Sequence, residues 1–330
     1  MAPLLLTTAA ALLSWALLAL LLPQLRRRLP DQPNARSSHR RITPRGGGVV
    51  FALVGAAFAL PLGSAMPALC LPLAGVGLLD DRRSLSPALR LAAQLATALA
   101  LLAVSPRALA LAGGGSGAGP GLLLAALLVL AVVALINLTN FMDGLDGLVA
   151  GCLAVALAAA AMPSSGAGQP ALWPLVGALL GFLPWNWSPA RLFMGDAGST
   201  FLGAVFAGAL LQCPGWREAL ALLLVATPLL ADSTLCLLRR LRAGQPVWQA
   251  HRLHLYQRLQ QAGWSHARVA GLYTAATAAL ALARFVGGWP ALLAANAAVL
   301  LFGVLLDRRV AVPFAAPPTV SATSRPPGWR

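Results

Sequence analysis

Long apolar runs alternate with short polar segments along almost the whole chain. They fall at about 3–22, 49–62, 67–79, 88–104, 122–136, 148–161, 171–184, 200–211, 219–238, 269–285 and 291–306. A helix crossing a bilayer takes ~20 mostly apolar residues, fewer if it leans on polar ends near the interface, so the pattern predicts about eleven spans. Arg26, Arg27 and Arg28 follow the first run; no basic residue precedes it and no small-residue cleavage site follows. That predicts an anchor helix with its N-terminus outside, not a cleaved leader. Parity then places 24–46, 80–87, 137–147, 185–199, 239–266 and everything beyond 307 in the cytoplasm. On this arrangement only Arg107, Arg217 and Arg284 of the 24 basic residues lie at or near the outer side, as the positive-inside rule requires. Residues 112–120, rich in Gly, become a flexible external loop. Residues 311–330, rich in Pro, Ser and Thr, become a disordered cytoplasmic tail behind one transmembrane domain, 1–310.

Composition sharpens this into a class. With 58% hydrophobic and 10% charged residues and a mean hydropathy of +0.76, the chain has too little polar surface for a soluble globule. The expectation is an all-α, polytopic integral membrane protein with a cytoplasmic C-terminus. Every basic residue is Arg, and the net charge is +15. In so apolar a chain that charge reflects orientation and contact with anionic lipid headgroups, and no nucleic-acid partner is expected. Cys70, Cys152, Cys213 and Cys236 lie in or beside apolar runs without metal-ligand spacing and read as small hydrophobes.

Only nine acidic residues occur, so their positions carry information. The densest polar segment, 137–147, reads Asn-Leu-Thr-Asn-Phe-Met-Asp-Gly-Leu-Asp-Gly. Two Asn and two Asp at a bilayer edge exceed what one helix cap needs, because a lipid-facing carboxylate costs at least ~2.5 kcal/mol at a helix centre. They are expected to line water, a metal or a substrate, with the Gly after each Asp allowing close backbone approach or positive φ. Asp80 and Asp81 form an adjacent pair at the end of the third run. Such a pair can share a proton or face a metal-bound phosphate, although pairing with Arg82 and Arg83 would account for part of the charge. Asp196 sits between two Gly just before a run, able to cap a helix or to face a cation; Phe193 beside it offers a flat face to a base or sugar.

Two basic segments complete the set. Arg45 precedes Gly46, Gly47 and Gly48, and an Arg entering a Gly-rich turn can bind phosphate through its guanidinium and exposed backbone N–H groups. In 239–266, His251, Arg252, His254 and Arg258 suit contacts to phosphate or sugar oxygens. Two His three apart can also bind zinc, but the local sequence supplies no third ligand. His266 has no such company and reads as a surface helix start. For Asp232, inside an apolar run, a buried structural partner and a site residue remain equally open.

Thr-Pro-Arg-Gly-Gly-Gly, Gly-x-x-Asp-Asp, Asn-x-x-Asn-Phe-x-Asp-Gly-x-Asp-Gly, Arg-x-Phe-Met-Gly-Asp-Ala-Gly-Ser and His-Arg-x-His, in that order, resemble the polyprenyl-phosphate N-acetylhexosamine-1-phosphate transferase family over about 35–270. The resemblance implies transfer of an N-acetylhexosamine 1-phosphate from a UDP-sugar to undecaprenyl phosphate on the cytoplasmic face of a bacterial inner membrane, releasing UMP. It implies Mg²⁺, with Mn²⁺ as a substitute, held by Asp196 with Asn140 as neighbouring ligand or organiser. Catalytic roles fall to Asp80, Asp81, Asp143 and His254, and one of the Asp80–Asp81 pair would deprotonate the lipid phosphate. Substrate contacts fall to Arg45, Asn137, Asp146, Phe193, His251 and Arg252, with Asp146 and Phe193 at the uracil. The peptidoglycan enzyme of the family, phospho-N-acetylmuramoyl-pentapeptide transferase, carries consecutive His residues where this chain reads Leu-His-Leu-Tyr-Gln. The loop here looks more like the branch that starts O-antigen or other surface polysaccharide. A secondary transporter is the competing class, but the acids gather at one face and no paired broken helices are visible. The donor sugar, the order of binding and the oligomeric state, a homodimer included, are left open.

Overall fold

The computed structural model describes residues 2–33, 38, 41–106, 110, 118–163, 168–246, 249 and 251–314. The predicted 311–330 tail lies outside them beyond Phe314, as does most of the predicted 112–120 loop.

Apolar runs become helices throughout. They are α1 (Ala2–Arg28), α2 (Gly48–Ala59), α3 (Met66–Leu69), α4 (Leu71–Arg83), α5 (Pro87–Ala103), α6 (Ala118–Phe141), α7 (Leu148–Ala161) and α8 (Trp173–Asn186). There follow α9 (Gly195–Leu211), α10 (Trp216–Val225), α11 (Thr227–Arg242), α12 (Leu255–Gln261) and α13 (His266–Arg309). Leu4–Arg28, Pro120–Phe141 and His266–Arg309 are long and apolar enough to cross a membrane, and only 17% of each apolar window is buried within the protein. Leucines such as Leu4, Leu20 and Leu122 stand exposed on α1 and α6, which suits a helix whose outer face meets lipid chains. Helices α7 and α9 are the opposite case, buried nearly all round. A helix apolar on every face belongs at the centre of a bundle.

Two details depart from the run pattern. The single run at 219–238 is two helices, α10 and α11, bent by 80°. Pro228 in the first turn of α11 lacks an N–H for the preceding turn and so starts a helix rather than continuing one. The runs at 269–285 and 291–306 join in α13, with a kink where Gly288 leaves helical geometry (φ 59°, ψ −146°). Among the described residues three helices qualify as spans by length and apolarity, four with the bent pair, while Gly48–Leu62, Pro87–Ala103, Leu148–Ala161 and Gly195–Leu211 are shorter.

Close approach is bought with small residues. Along α8, a Cβ at Gly177 or Gly181 would meet the backbone oxygens of Thr7 and Ala11. This is the small-xxx-small spacing that lets membrane helices touch along their backbones. The basic loop after α1 is not wholly irregular either. Strand β1 (Pro30–Asp31) pairs antiparallel with β2 (Thr43–Pro44), Asp31 opposite Thr43, and this short ladder delivers Arg45 beside Asp31.

Candidate active site

A cavity of about 250 Å³ opens where the polar segments meet, lined by Asp31, Arg45, Asp81, Asp143, Asp146, Phe193, Asp196, Gln257 and His266 among others. Six residues singled out in the sequence, drawn from four separate segments, therefore share one wall.

Asp81 is held by the start of α9. Its Oδ1 accepts from Asp196 N–H at 3.1 Å and its Oδ2 from Ala197 N–H at 3.4 Å. Unpaired N–H groups at a helix N-terminus favour an anion there. Gly195 must be glycine for two reasons: its φ is +70°, and a Cβ would collide with the Asp81 carboxylate. Gly77, one turn back on α4, likewise lies against the Asp196–Ala197 backbone. Asp80 turns elsewhere, accepting from Leu85 N–H at 2.5 Å and Arg90 at 3.2 Å. The acid pair thus finds Arg90 and Arg45, not the exposed Arg82 and Arg83.

Arg45 pairs with Asp31 and lies 3.7 Å from Asp81. Two of the three glycines after it have their N–H groups engaged: Gly47 N–H bonds Phe193 O and Gly48 N–H bonds Met194 O, each at 3.0 Å. Their smallness serves packing, because a Cβ on Gly48 would strike Gly198 of α9. The guanidinium reaches the cavity, whereas the N–H groups of Gly47 and Gly48 are spent on the 193–194 backbone.

The turn 142–147 after α6 carries Asp143 and Asp146. Gly147 adopts φ +75° and donates to Asn186 Oδ1 at 3.0 Å. Space above Gly144 is taken by the Tyr256 hydroxyl, which donates to Phe141 O at 3.1 Å. Burial, then the charge of Asp81, pushes the Asp143 carboxyl up to about 7, against the pull of Arg45. Burial also pushes on Asp146, but the close His266 imidazole, with donors from Ala190 and Ser188, outweighs it and holds that carboxyl below its ordinary value.

His266 is the residue that sequence reasoning missed. It does start a helix, α13, behind the Ser265 cap. Yet its Nδ1 stands 3.1 Å from Asp146 Oδ1 and its ring lines the cavity. No local signal marks it, since its partner lies 120 residues earlier in the chain.

Other expected site residues lie off the cavity wall. Asn137 exchanges amide hydrogen bonds with Gln94 of α5 at 2.7 and 3.2 Å. Asn140 accepts from Ser199 Oγ at 2.6 Å, one turn along α9 from Asp196. Arg252 donates to Gln260 at 3.2 Å. Asp232 accepts from Leu255 N–H, Tyr256 N–H and Tyr273 Oη at 2.7, 3.0 and 2.7 Å. It therefore anchors the start of α12, the structural alternative of the two. His254 is buried near it and stacks on His251 with ring centroids 4.9 Å apart. Burial, with the charges of His254 and Arg240, pushes the His251 imidazole down to about 3. The sequence offered these histidines no third metal ligand, but the fold does: Cys236 brings its sulfur within 4.8 Å of a nitrogen from each.

Carboxylates and an arginine gathered at a shared end of apolar helices suit an enzyme embedded in a membrane. Comparison with known proteins narrows the class. Residues 64–213 match the model of glycosyl transferase family 4. The decaprenyl-phosphate N-acetylglucosaminephosphotransferase of Mycobacterium tuberculosis is 34% identical over 284 residues, covering 72% of this chain and 70% of its own. A probable undecaprenyl-phosphate N-acetylglucosaminyl 1-phosphate transferase of Bacillus subtilis is 27% identical over 255 residues, covering 72% and 71%. The phospho-N-acetylmuramoyl-pentapeptide-transferase of Mycobacterium ulcerans matches over only 36% of this chain and 33% of its own, at 38% identity. The chain belongs to the polyprenyl-phosphate N-acetylhexosamine-1-phosphate transferase family, within glycosyl transferase family 4.

Proposed function

We propose that the protein transfers an N-acetylhexosamine 1-phosphate, with N-acetylglucosamine the first donor to test, from its UDP-sugar to undecaprenyl phosphate. UMP leaves, and the lipid-linked sugar starts a surface polysaccharide of the O-antigen kind. The observation that carries this reading is the meeting of Arg45, Asp81, Asp143 and Asp196 in one cavity at the end of apolar helices. Donor and acceptor are both multiply anionic, so a site that joins them must neutralise charge.

Mg²⁺ fits the donor set. Among the described residues hard carboxylate oxygens outnumber the one cavity-lining Arg, and the charges of Asp81, Asp146 and Asp31 add to burial in lifting Asp143. Asp196 would hold the ion, with Asn140 orienting through Ser199; when bound, it supplies charge neutralisation at the phosphates. Arg45 steers the donor pyrophosphate. Phe193 offers its ring to the uracil, and the Asp146–His266 pair presents hydrogen-bonding groups at the same wall. Asp81 is committed to the N–H groups of α9. Asp143, with a proton affinity near neutrality, is suited to take the last proton from the lipid phosphate, which then attacks the sugar-linked phosphorus and expels UMP. The inward-facing basic loops support a cytoplasmic active site in a bacterial inner membrane.

The test is UMP release by purified protein with undecaprenyl phosphate, Mg²⁺ and a panel of UDP-N-acetylhexosamines, with Asp196→Asn as control. Lipid-dependent release with one donor establishes the reaction and names the sugar. Release only with the UDP-N-acetylmuramoyl-pentapeptide would move the protein to the peptidoglycan branch, and silence from folded protein would refute the proposal.

A further inference from the structure

Asp307 stands in the last turn of α13, beside Arg308 and Arg309. The helix dipole opposes an acid at that end, so its charge needs cations close by. It finds them on two other elements. Arg239 of α11 donates to its carboxylate through both guanidinium arms, at 2.9 and 2.7 Å, and Arg258 of α12 donates to the same Oδ1. Arg258, which the sequence offers as a phosphate contact, is instead buried. Its other nitrogens bond Leu253 O at 3.1 Å and Val312 O at 2.8 Å. Val312 N–H returns a bond to Arg258 O at 3.3 Å, and the Phe314 ring centre lies 5.6 Å from both guanidiniums, within cation–π range.

This meeting requires α13 to fold back. A straight helix of its 44 residues would run about 66 Å, yet Asp307 near its end meets Arg258, which precedes its first residue, His266, by eight positions. The kink at Gly288 makes the return. Apolar packing does not close the seam that results. A groove of about 310 Å³ parts α11 from the returning stretch, lined by Leu235, Val299 and Phe302 among others, while Leu300, Leu301 and Leu305 stand exposed. The ionic contacts of Asp307 are what tie the two together beside that groove.

Helix α12 in turn reaches the acidic cavity. Gln257 lines it, and the Tyr256 hydroxyl braces the turn ahead of Asp143. Asp232 fixes the first turn of α12 through two backbone N–H groups. We infer that Asp307 is a positioning residue for the proposed transfer: by holding Arg258 and Arg239 together it fixes the second turn, so that Gln257 stays seated on the cavity wall. This role rests on the transfer reading above. Its physical basis is the buried guanidinium of Arg258, which without its counter-charge is drawn toward water and takes α12 with it.

The experiment has two arms, both on the purified full-length protein in detergent. In hydrogen–deuterium exchange, Asp307→Asn is expected to speed exchange of the 255–261 amides about tenfold or more while α8 and α9 keep the parent's rates, and Asp307→Glu to restore it. Unchanged exchange over 255–261, or a rise spread over all helices, overturns the inference. In UMP release, Asp307→Asn is expected to raise KM for the UDP-sugar about fivefold, but less than about twofold in the Gln257→Ala background, because a residue acting through Gln257 has nothing left to misplace. Equal increments in both backgrounds also overturn it. A parent protein that releases no UMP with any donor refutes the transfer reading, and the exchange arm then decides the tie alone.

Discussion

Asp143 sets a measurable link between protons and metal. Its carboxyl is lifted from 3.8 to about 7, which at about 1.4 kcal/mol per unit is at most about 4 kcal/mol against the ionised form. The sign follows from the cause. Below about pH 7 the carboxyl keeps its proton, because burial and the Asp81 charge both oppose ionisation. A divalent cation held by Asp196 favours the carboxylate, so metal must displace that proton, and affinity falls as pH falls. For a single group titrating near 7, the half-saturating concentration rises about tenfold between pH 8 and pH 6. Mn²⁺ binding followed by electron paramagnetic resonance without substrates measures this free of the lipid phosphate's own titration. Asp143→Asn is expected to bind more weakly and with a shallower pH dependence, the remainder coming from Asp196 and Asp81, which burial also raises. A flat profile in the parent protein, or the same slope in Asp143→Asn, would refute the reasoning.

Four further outcomes are expected. Asp196→Asn abolishes metal-dependent UMP release while leaving the Tm of the purified protein near the parent's; near-normal turnover would remove Asp196 from the centre of the site. His266→Ala leaves the Asp146 carboxylate without its imidazole neighbour, a loss of roughly 1.5 to 3 kcal/mol, so kcat/KM for the UDP-sugar should drop about tenfold or more, against no change if His266 only caps α13. Asn137→Ala removes an interhelical amide pair worth about 0.6 kcal/mol, 1.7 at most; Tm should fall slightly with KM for the UDP-sugar unchanged, and a large rise in KM would restore Asn137 to the substrate site. Gly48→Ala forces α2 away from Gly198 at about 1 to 3 kcal/mol, visible as a lower Tm, and an unchanged Tm would show that the contact can relax.

Much of the site was legible because acids are scarce. In a chain with nine of them, Asp81, Asp143, Asp146 and Asp196 fall at ends of apolar runs that parity assigns to one side, and the fold brings all four to one cavity. The helices were legible for the same reason of periodic apolarity, except where one run hides a corner. Pro228 marked that corner, yet the run 219–238 stays apolar through it, so composition alone reads it as straight. What was not legible is long-range pairing. His266 with Asp146, Asp80 with Arg90, and Arg258 with Asp307 are matched by the fold, and neither partner advertises the other locally. Gly47 and Gly48 show a subtler limit. Glycine that admits a ligand and glycine that admits a neighbouring helix look alike in sequence, and only the acceptors Phe193 O and Met194 O decide between them.

The clasp between Asp81 and the Gly195–Ala197 backbone has a consequence for exchanging parts among relatives. Asp81 rides on one segment and its two N–H donors on another, 115 residues later, while Gly77 and Gly195 keep the gap between them clear. Neither segment is a module by itself. A chimera that imports the 185–199 loop inherits a foreign fit to α4 unless the 71–83 helix travels with it. The unit of inheritance at this site is the pair of segments.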